Sequence, residues 1–355
     1  MLDFALFDKH GAYDRMITPN TSHTELLGNE VSFAELVFDD DDAVWSDLTN
    51  GSRVRGMWGD DLAIHGPVVS RAGASSSRTS TLRVEDRWRA FRNLGWQNPD
   101  RPISSQISDY KRYTGSTETV VKNACRDLSD RLGLGWTIAP DKGLGVDSRV
   151  EFRMHPLVDK LVPLLNAQRL TLTLRDGVVD VHQGQTFPRV LTPDDGVLGD
   201  YEWKITYPTA TRVIVGGEGE GVERLFQQFV DVDRETEWAD IVEVVKDSRM
   251  AQGVTDLSGD GAEALTEGNA QVSFTADLNE NAWFRFGEYA VGDQVSIDAG
   301  GIQATEVISR VVIDHTPDQG VVVTPHIGSI EDDVDSRIAQ QIARLARARR
   351  DQESR

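Results

Sequence analysis

One twelve-residue stretch, Asp256–Glu267, has the spacing of a calcium-binding loop. The residues at its first, third, fifth and twelfth positions, where such loops place oxygen ligands, are Asp256, Ser258, Asp260 and Glu267. Its eighth position holds Glu263, where an aliphatic residue is usual, and no amphipathic helix clearly precedes it. We therefore favour a turn in which Asp260 caps a short helix, Ala262–Gly268, and we predict no metal site here.

Two other stretches carry groups that could bind a ligand. The four carboxylates of Asp39–Asp42 could hold a metal ion, and we favour an acidic turn that caps a short helix, Ala43–Leu48. Residues 216–221, GGEGEG, follow a predicted strand, as a nucleotide-binding turn would. Their spacing is not G-x-G-x-x-G, and the two glutamates would repel a pyrophosphate, so we predict a loop between strands.

The histidines and the single cysteine form no catalytic pattern. The seven histidines are His10, His23, His65, His155, His182, His315 and His326. None makes the H-E-x-x-H or H-x-x-E-H pair of zinc enzymes, and the chain lacks a G-x-S-x-G motif. Cys125 falls in the middle of an amphipathic helix, which predicts a small core residue. We predict no catalytic centre and no cofactor.

The elements that position these residues are mainly strands. Hairpin and strand patterns cover residues 3–17, 30–38, 52–58, 62–70 and 79–85. After a long middle region, Trp283–Asp298 opens a meander of short antiparallel strands that runs to Gly328. Turns at Gly292-Asp293 and Gly300-Gly301 separate its strands. The sequence therefore predicts a mainly β protein.

The region 106–200 predicts an α+β insert, with helices followed by strands. Ser116 is placed to cap a helix that ends near Gly133. Its apolar residues recur every four positions, at Val120, Ala124, Leu128 and Leu132. Further along, LTLTLRDGVVDVHQ predicts a hairpin with Asp176-Gly177 as its turn.

The end of the chain has a different character. Residues 331–355 predict a helix whose narrow apolar stripe consists of Val334, Ile338, Ile342 and Leu345. Aspartates begin this segment and arginines end it, which suits the helix dipole. A narrow stripe needs a surface to cover it, so we expect an interface with a partner chain or with the body of the protein.

Composition limits the classes of function. The 355 residues suffice for two or three domains, and the net charge of −21 argues against a nucleic-acid-binding surface. No apolar run is long enough to span a membrane, and the start lacks a signal-peptide pattern, so we expect synthesis in a cytosol. The acidity serves solubility, and part of it could line a tube through which DNA slides.

A family resemblance rests on the order of several weak motifs. The meander reads Phe-Gly-x-x-Tyr-x-x-Gly-Asp-x-Val, then two more strands, then Pro-x-Ile-Gly. Near the start, Ile64–Val68 forms an aliphatic-Gly-x-Val strand. This order, which covers most of residues 1–330, resembles the baseplate hub proteins of long-tailed bacteriophages, namely the Gp37-like minor tail proteins at the tail tip of siphoviruses.

The resemblance implies a definite architecture. We expect two β-barrel-like hub domains, a smaller inserted α+β domain and a C-terminal helix. The first hub domain would comprise 1–105, completed by 201–235, and the second would comprise 236–330. The insert would be 106–200 and the helix 331–355.

The resemblance also implies a structural function. The chain would form a homotrimeric hub at the distal end of the tail of a virion, assembled from protein made in the host cytoplasm. The hub would adapt the six-fold tail tube to a three-fold tip and surround the DNA channel. Its partners would be the distal tail protein ring, the tape measure protein and other tail-tip or fibre proteins, with no sequence-specific nucleic acid.

Two alternatives belong to other functional classes. One is a tail-associated hydrolase of the cell wall, because 58 acidic residues could supply a catalytic pair. The other is a carbohydrate-binding β-protein, in which some of the eight tryptophans would line a site. The scattered tryptophans are more simply explained as core or interface residues, so we favour the hub.

Overall fold

The computed structural model describes residues 2–219, 221–248 and 254–328. The chain divides into two compact units. Unit 1 comprises residues 2–201 and 275–328, and unit 2 comprises the described residues of 202–274. The predicted C-terminal helix, 331–355, lies outside the described residues.

The first part of unit 1 consists of strands with alternating burial. In the fourth strand, for example, Ala34, Leu36 and Phe38 are buried and the residues between them are partly exposed, which is the period of a half-buried strand. The elements are β1 (Leu2–Phe7), β2 (Tyr13–Ile17), β3 (Thr21–Leu27), β4 (Phe33–Asp39), α1 (Val44–Asp47), β5 (Arg53–Trp58), β6 (Asp61–Gly73) and β7 (Thr79–Glu85).

The middle of unit 1 combines helices and short strands, over the region for which the sequence predicts an α+β insert. Its main helix, the second of the chain, begins after Ser116, whose hydroxyl accepts a hydrogen bond from the Thr119 N–H, and ends at Gly133 in the left-handed conformation. The elements are β8 (Leu94–Gly95), β9 (Lys111–Ser116), α2 (Thr117–Leu132), β10 (Thr137–Ile138), β11 (Asp147–Phe152), β12 (His155–Pro156), α3 (Leu157–Ala167), β13 (Leu170–Arg175), β14 (Val178–Gln183) and β15 (Thr186–Leu191).

Short 3-10 helices connect several of these elements. They are Arg87–Arg92, Ile103–Ser105, Pro193–Asp195 and Gly221–Glu223. The rest of the chain comprises β16 (Leu198–Thr206), β17 (Arg212–Gly216), β18 (Phe226–Val230), α4 (Val232–Trp238), β19 (Glu243–Asp247), α5 (Val254–Glu267), β20 (Gln271–Leu278), β21 (Gln294–Ala299), β22 (Ile302–Thr316) and β23 (Gly320–Ile327).

The first and last strands of unit 1 belong to one sheet. Its order from one end is β2-β1-β5-β6-β7-β4-β3-β22-β23. The junction is the antiparallel pair β3–β22, in which Arg310 lies opposite Leu27 and His315 lies opposite Ser22. Backbone hydrogen bonds therefore join the first and last strands of unit 1, and the expected borders of the two hub domains stay a prediction. Among the described residues the sheets are open, and no barrel closes.

Unit 2 has its own sheet and core. β17 lies in the centre, antiparallel to β18 and parallel to β19. Its buried Val213 and Val215 pack with Leu257 and Ala264 of α5. β17 and β18 therefore find their hydrogen-bond partners within unit 2, and the expectation that 201–235 completes the first hub domain stays a prediction.

The fifth helix corrects the predicted helix cap. It begins at Val254, so Asp260 lies inside the helix and does not cap it. At Gly261 a Cβ atom would lie 2.2 Å from the Phe229 ring, so the missing side chain permits close packing of the helix on β18. Among the described residues, no helix is long and apolar enough to cross a membrane.

Candidate interaction surfaces

The positions of the calcium motif are not brought together. Asp256, Ser258, Asp260 and Glu267 all lie within the helix α5. The first and twelfth positions are separated by eleven helical steps, which is about 16 Å along the axis. An ion needs its ligands at 2.3–2.6 Å, roughly, from a single point. No group of three or more His, Cys, Asp or Glu in the described part of the chain is arranged to hold a metal ion.

The other residues singled out in the sequence have structural surroundings. Cys125 is fully buried in α2, and burial raises the pKa of its thiol. A buried thiol with a raised pKa is a poor nucleophile at neutral pH. The stripe Val334, Ile338, Ile342 and Leu345 lies outside the described residues, so its role as an interface stays a prediction.

Two histidines join carboxylates across four strands of unit 1. His23 Nδ1 lies 2.7 Å from Asp314 Oδ1, and His23 Nε2 lies 3.1 Å from Glu25 Oε1. Burial lowers the pKa of His23, and the two carboxylates more than offset that effect, so its pKa lies above the usual value. The network continues through Arg310 and His326 to Asp277.

This network holds β3, β22, β23 and β20 together through side chains as well as through the backbone. Burial, and then the Arg310 guanidinium, lowers the pKa of His326. The sequence gives little signal for the network, because its members are single polar residues on strands almost three hundred positions apart. Only the register of β3 against β22 brings His23 and Asp314 side by side.

A groove of about 610 Å³ opens in unit 1. It lies between the β5–β6 hairpin, the β13–β14 hairpin and the closing segment 286–293. Aromatic and aliphatic side chains contribute to its walls, among them Trp58, Leu62, Leu174, Phe286 and Val291. Its volume is within the range of ligand and peptide sites in proteins.

The closing segment builds one wall of the groove from the motif that carries the family resemblance. Tyr289 stacks on Phe284 with ring centroids 4.4 Å apart, and its hydroxyl donates to Glu280 Oε1 at 2.8 Å. Asp293 accepts hydrogen bonds from the Ala290 and Gln185 N–H groups. Gly292 has a φ of 98°, and a Cβ there would lie 2.5 Å from the Thr171 hydroxyl. The Gly-Asp pair therefore fixes this turn against the insert.

Positive charge collects beside the groove. Arg55 and His65 are paired across β5 and β6, and Arg55 Nη2 lies 2.8 Å from Asp176 Oδ1. Arg53 lies two residues from Arg55 on the same face of β5, and Arg87 lines the groove. Neither Arg53 nor Arg87 forms an ion pair with any described residue. We call Arg53, Arg55 and Arg87 the basic cluster.

The electrostatics of the groove follow from this arrangement. Burial, and then the charges of Arg55, Arg87 and Arg53, lower the pKa of His65 to about 4. Its buried Nδ1 atom has no hydrogen-bond partner in the described structure, and neither has Arg55 Nε. Nearby, burial raises the pKa of Asp86 to about 7, although the Trp88 N–H donates to its carboxylate. Two buried polar atoms at the groove, His65 Nδ1 and Arg55 Nε, therefore have no hydrogen-bond partner among the described residues, whereas buried polar atoms in a protein core are usually paired.

The end of the main sheet is a second surface. Among the described strands, β2 pairs only with β1, so one side of its backbone is open. Tyr13 is 60% exposed and Met16 is 53% exposed on this strand. An open strand edge with apolar side chains is a template for pairing with another chain.

Comparison with known proteins identifies the family. The sequence model of the Siphovirus ReqiPepy6 Gp37-like protein matches residues 72–329. The chain belongs to this family of siphovirus tail proteins. The match confirms the resemblance drawn from the closing segment, and it begins after Ile64–Val68, so it does not include that strand. No curated protein matches the chain.

Solved structures place the Gp37-like chain in the fold of phage tail proteins. The 43 kDa tail protein of prophage MuSo2 from Shewanella oneidensis has a TM-score of 0.58 at 10% identity, covering 92% of this chain and 98% of that one. Prophage tail protein gp18 from Listeria monocytogenes EGD-e has a TM-score of 0.58 at 12% identity, covering 97% and 99%. The tail protein from Neisseria meningitidis MC58 has a TM-score of 0.56 at 14% identity, covering 93% and 97%.

Proposed function

We propose that this tail protein is a homotrimeric hub at the distal end of the tail, where it adapts the six-fold tube to a three-fold tip and surrounds the DNA channel. The observation that carries the proposal is the open edge of the main sheet at β2. The family match and the tail-protein fold support it, because both concern proteins of phage tails.

The open edge explains how a ring can form. A strand edge that remains open exposes a row of N–H and C=O groups, which a neighbouring chain can pair. Head-to-tail contacts close into a ring when the rotation between subunits fits, and three copies would then complete a barrel-like wall that one chain leaves open. The two β-barrel-like hub domains expected from the sequence would on this proposal be features of the assembled ring.

The charge of the chain suits a channel for DNA. A net charge of −21 gives a surface that does not retain phosphates. In the proposed hub, acidic residues on the inner wall would let DNA pass without binding. The partners would be the distal tail protein ring, the tape measure protein and further tip or fibre proteins, and the location would be the virion, after synthesis in the host cytoplasm.

The test is the mass of the protein in solution. Light scattering should give three copies of the 39.3 kDa chain. Tyr13→Lys together with Met16→Lys should shift the trimer toward monomer, because charge on an open strand opposes pairing. Ile107→Lys is the matched control, since Ile107 is 71% exposed in a loop outside the sheet and should leave the trimer intact. A parent protein that stays monomeric at all concentrations would reject the hub.

The absence of a catalytic centre is part of the same proposal. Turnover on cell-wall polymer should be undetectable in the parent and in His→Ala and Cys125→Ser variants. A hydrolysis rate that one of these substitutions abolishes would instead support the tail-associated hydrolase, and specific binding in a glycan screen would support the carbohydrate-binding alternative.

A further inference from the structure

Two walls of the groove are the edges of strands. An unbroken run of residues from each strand lines the groove, namely Asp61–His65 of β6 and Thr171–Arg175 of β13. Side chains alternate between the two faces of a strand, so a run of neighbours indicates that the edge of the strand faces the groove. Backbone N–H and C=O groups lie along such an edge.

The edge of β6 that faces away from β5 has no neighbouring strand along its first half. Asp61–Pro67 pairs with β5 only, and pairing with β7 begins at Val68. The Val68 N–H donates to the Ser52 carbonyl, and hydrogen-bonded pairs alternate with wide pairs along an antiparallel ladder. His65 and Arg55 therefore form a wide pair, in which the N–H and C=O groups of His65 point away from β5. No strand lies beside these groups in the described chain.

The outer edge of β13 is occupied by side chains as far as Leu172. Asn29 takes the place of a neighbouring strand there, because its amide donates to the Leu170 carbonyl and accepts from the Leu172 N–H. The Trp88 indole N–H donates to the Leu172 carbonyl. By the same alternation the backbone of Leu174 points away from β14, and no described residue completes its hydrogen bonds on that side.

A side chain that lines the groove also lacks a partner. His65 Nδ1 is buried and makes no hydrogen bond with a described residue, and the buried Arg55 Nε is in the same state. With a pKa of about 4 the imidazole is neutral near pH 7, so its two nitrogens offer one donor and one acceptor. A peptide backbone, which carries both an N–H and a C=O group at almost every residue, can satisfy these atoms.

The charges of the groove distinguish its two ends. Asp61 lies opposite Trp58 in the β5–β6 hairpin, and the Trp58 ring contacts the Phe286 ring with centroids 5.2 Å apart. Glu288, two residues after Phe286, therefore belongs to the same end as Asp61. Both carboxylates line the groove, and neither forms an ion pair with a described residue. We call Asp61 and Glu288 the acidic end.

The other carboxylates of the groove are already engaged. Asp176 forms an ion pair with Arg55, and Asp293 accepts hydrogen bonds from two backbone N–H groups. Burial raises the pKa of Asp86 to about 7, so this group is only partly ionised near neutral pH. The negative charge that lacks a partner is therefore concentrated at the acidic end, where it attracts a cation.

The two arginines that line the groove belong to its other end. Arg87 lowers the pKa of His65, which follows Asp61 by four residues on β6, and Arg175 adjoins Asp176. Their guanidinium groups can donate to carbonyl oxygens, and they oppose a second cation at that end. A complementary ligand therefore carries its positive charge at one end only.

We propose that the groove binds an extended segment of a partner protein, which adds as a strand to the free edge of β6 and reaches Leu174 on the opposite wall. The segment alternates apolar residues with polar ones and carries Lys or Arg at the acidic end. Its apolar side chains pack on Trp58 and Leu62, and its backbone supplies the hydrogen bonds that His65 lacks. The proposal concerns one subunit and holds whether or not the trimer forms.

The first experiment identifies the kind of peptide that binds. An array of random decapeptides is incubated with the labelled full-length protein. The bound sequences should be enriched in alternating apolar residues, with Lys or Arg at one terminus and few acidic residues. Fluorescence anisotropy with the strongest binder then gives its dissociation constant for the parent protein.

The second experiment places this binding in the groove. Asp61→Lys together with Glu288→Lys should raise the dissociation constant by about tenfold, because two attractive contacts become repulsive. Asp100→Lys together with Asp109→Lys is the matched control, since it makes the same charge change at exposed positions outside the groove and should bind as the parent does. All four substituted side chains are at exposed positions, and circular dichroism checks that each variant is folded.

The third experiment tests the mode of binding without changing the protein. Methylation of alternate backbone nitrogens of the selected peptide removes the N–H groups along one of its edges. For at least one of the two alternate sets, the dissociation constant should rise by about tenfold, because the hydrogen bonds to the β6 edge are lost.

Several outcomes would overturn the proposal. They are an array with no enriched sequence, enrichment of acidic peptides, equal binding by the groove variant and its control, and indifference to both methylated sets. Selected sequences that match a segment of this chain would assign the groove to a second copy instead. Light scattering on the same samples reports the trimer separately, so failure of the hub is distinguishable from failure of the peptide site.

Discussion

Two groups of cations in unit 1 have opposite surroundings. The Lys122 side chain is 2% exposed, and its Nζ atom lies 2.6 Å from Glu118 Oε1, 2.8 Å from Asp180 Oδ1 and 2.8 Å from the Pro140 carbonyl. Every N–H of the ammonium group thus has an acceptor. In the basic cluster, by contrast, Arg53 and Arg87 have no ion-pair partner among the described residues.

The difference separates a structural charge from a charge that is available for binding. A fully buried ammonium is tolerated only with complete pairing, and the second oxygen of Glu118 also accepts the N–H groups of Lys142 and Leu144. The hydrogen bonds from Lys142 and Leu144 to Glu118 therefore hold the loop after β10 against α2. A partly exposed arginine costs less when unpaired, because water still reaches it, so it can remain ready for an incoming anion.

The largest loss of stability should come from removing the charge of Lys122. Lys122→Met leaves Glu118 buried without its counter-charge and should lower the free energy of unfolding by about 3–5 kcal/mol. Urea denaturation at neutral pH measures the change. The matched control is Lys142→Met, since that side chain is 51% exposed and its pair with Asp180 should contribute below about 1 kcal/mol. Equal effects of the two substitutions would show that pairing and burial do not distinguish these lysines.

Asp86 lines the groove, and its substitution provides a second test of how burial affects a charged group in unit 1. Asp86 has a pKa of about 7 in the folded protein, raised by burial, against about 4 in an unfolded chain. The folded state therefore retains a proton that the unfolded state loses, and stability falls as pH rises through that window. Asp86→Asn should remove this loss.

The expected gain in the free energy of unfolding for Asp86→Asn is absent near pH 4. It grows to at most about 4 kcal/mol above pH 7, because each unit of pKa difference contributes roughly 1.36 kcal/mol. The Asn side chain can still accept from the Trp88 N–H, so the turn after β7 keeps its cap. Unfolding free energies of the parent and the variant across this pH range measure the difference. A constant difference at all pH values would contradict the assigned ionisation.

The smallest change in stability should come from removing the partly exposed ion pairs of His23. His23 has a raised pKa, so its stabilising contribution is present below pH 6.5, approximately, and is lost as pH rises through the raised value. Since its side chain is 38% exposed, we expect His23→Gln to cost less than about 1 kcal/mol at acidic pH and nothing at alkaline pH. Thermal unfolding as a function of pH provides the measurement, and a larger cost at pH 9 than at pH 6 would reverse the assignment.

Local signals explain what the sequence predicted well. The helix α2 begins after Ser116 and ends before Gly133 as expected, because its cap, its stripe and its terminating glycine all lie within the same short stretch. The Asp176-Gly177 hairpin and the closing meander are equally local, and their turns are set by residues that adopt positive φ. The family resemblance, which rests on the order of such turns, is confirmed by the match over residues 72–329.

Distant pairing explains what was missed. The pairing of β3 with β22 was not predicted, because strand alternation predicts that a strand exists and does not predict its partner. The N-cap at Asp260 was wrong because packing of α5 on Phe229 and β17 extends the helix past local cap signals. The groove and its basic cluster could not be foreseen, since Arg53, Arg87 and Asp176 come from separate elements.

The pairing of β3 with β22 has a consequence for how the protein is made. His23 meets Asp314, a residue 291 positions later in the chain, so β3 cannot complete its sheet until nearly the whole chain has been synthesised. At roughly 5–20 residues per second, the nascent strand waits about 15–60 s with one edge unpaired. Contacts of such long range also slow folding itself. The assembly rate of this tail component should therefore depend on its own translation time.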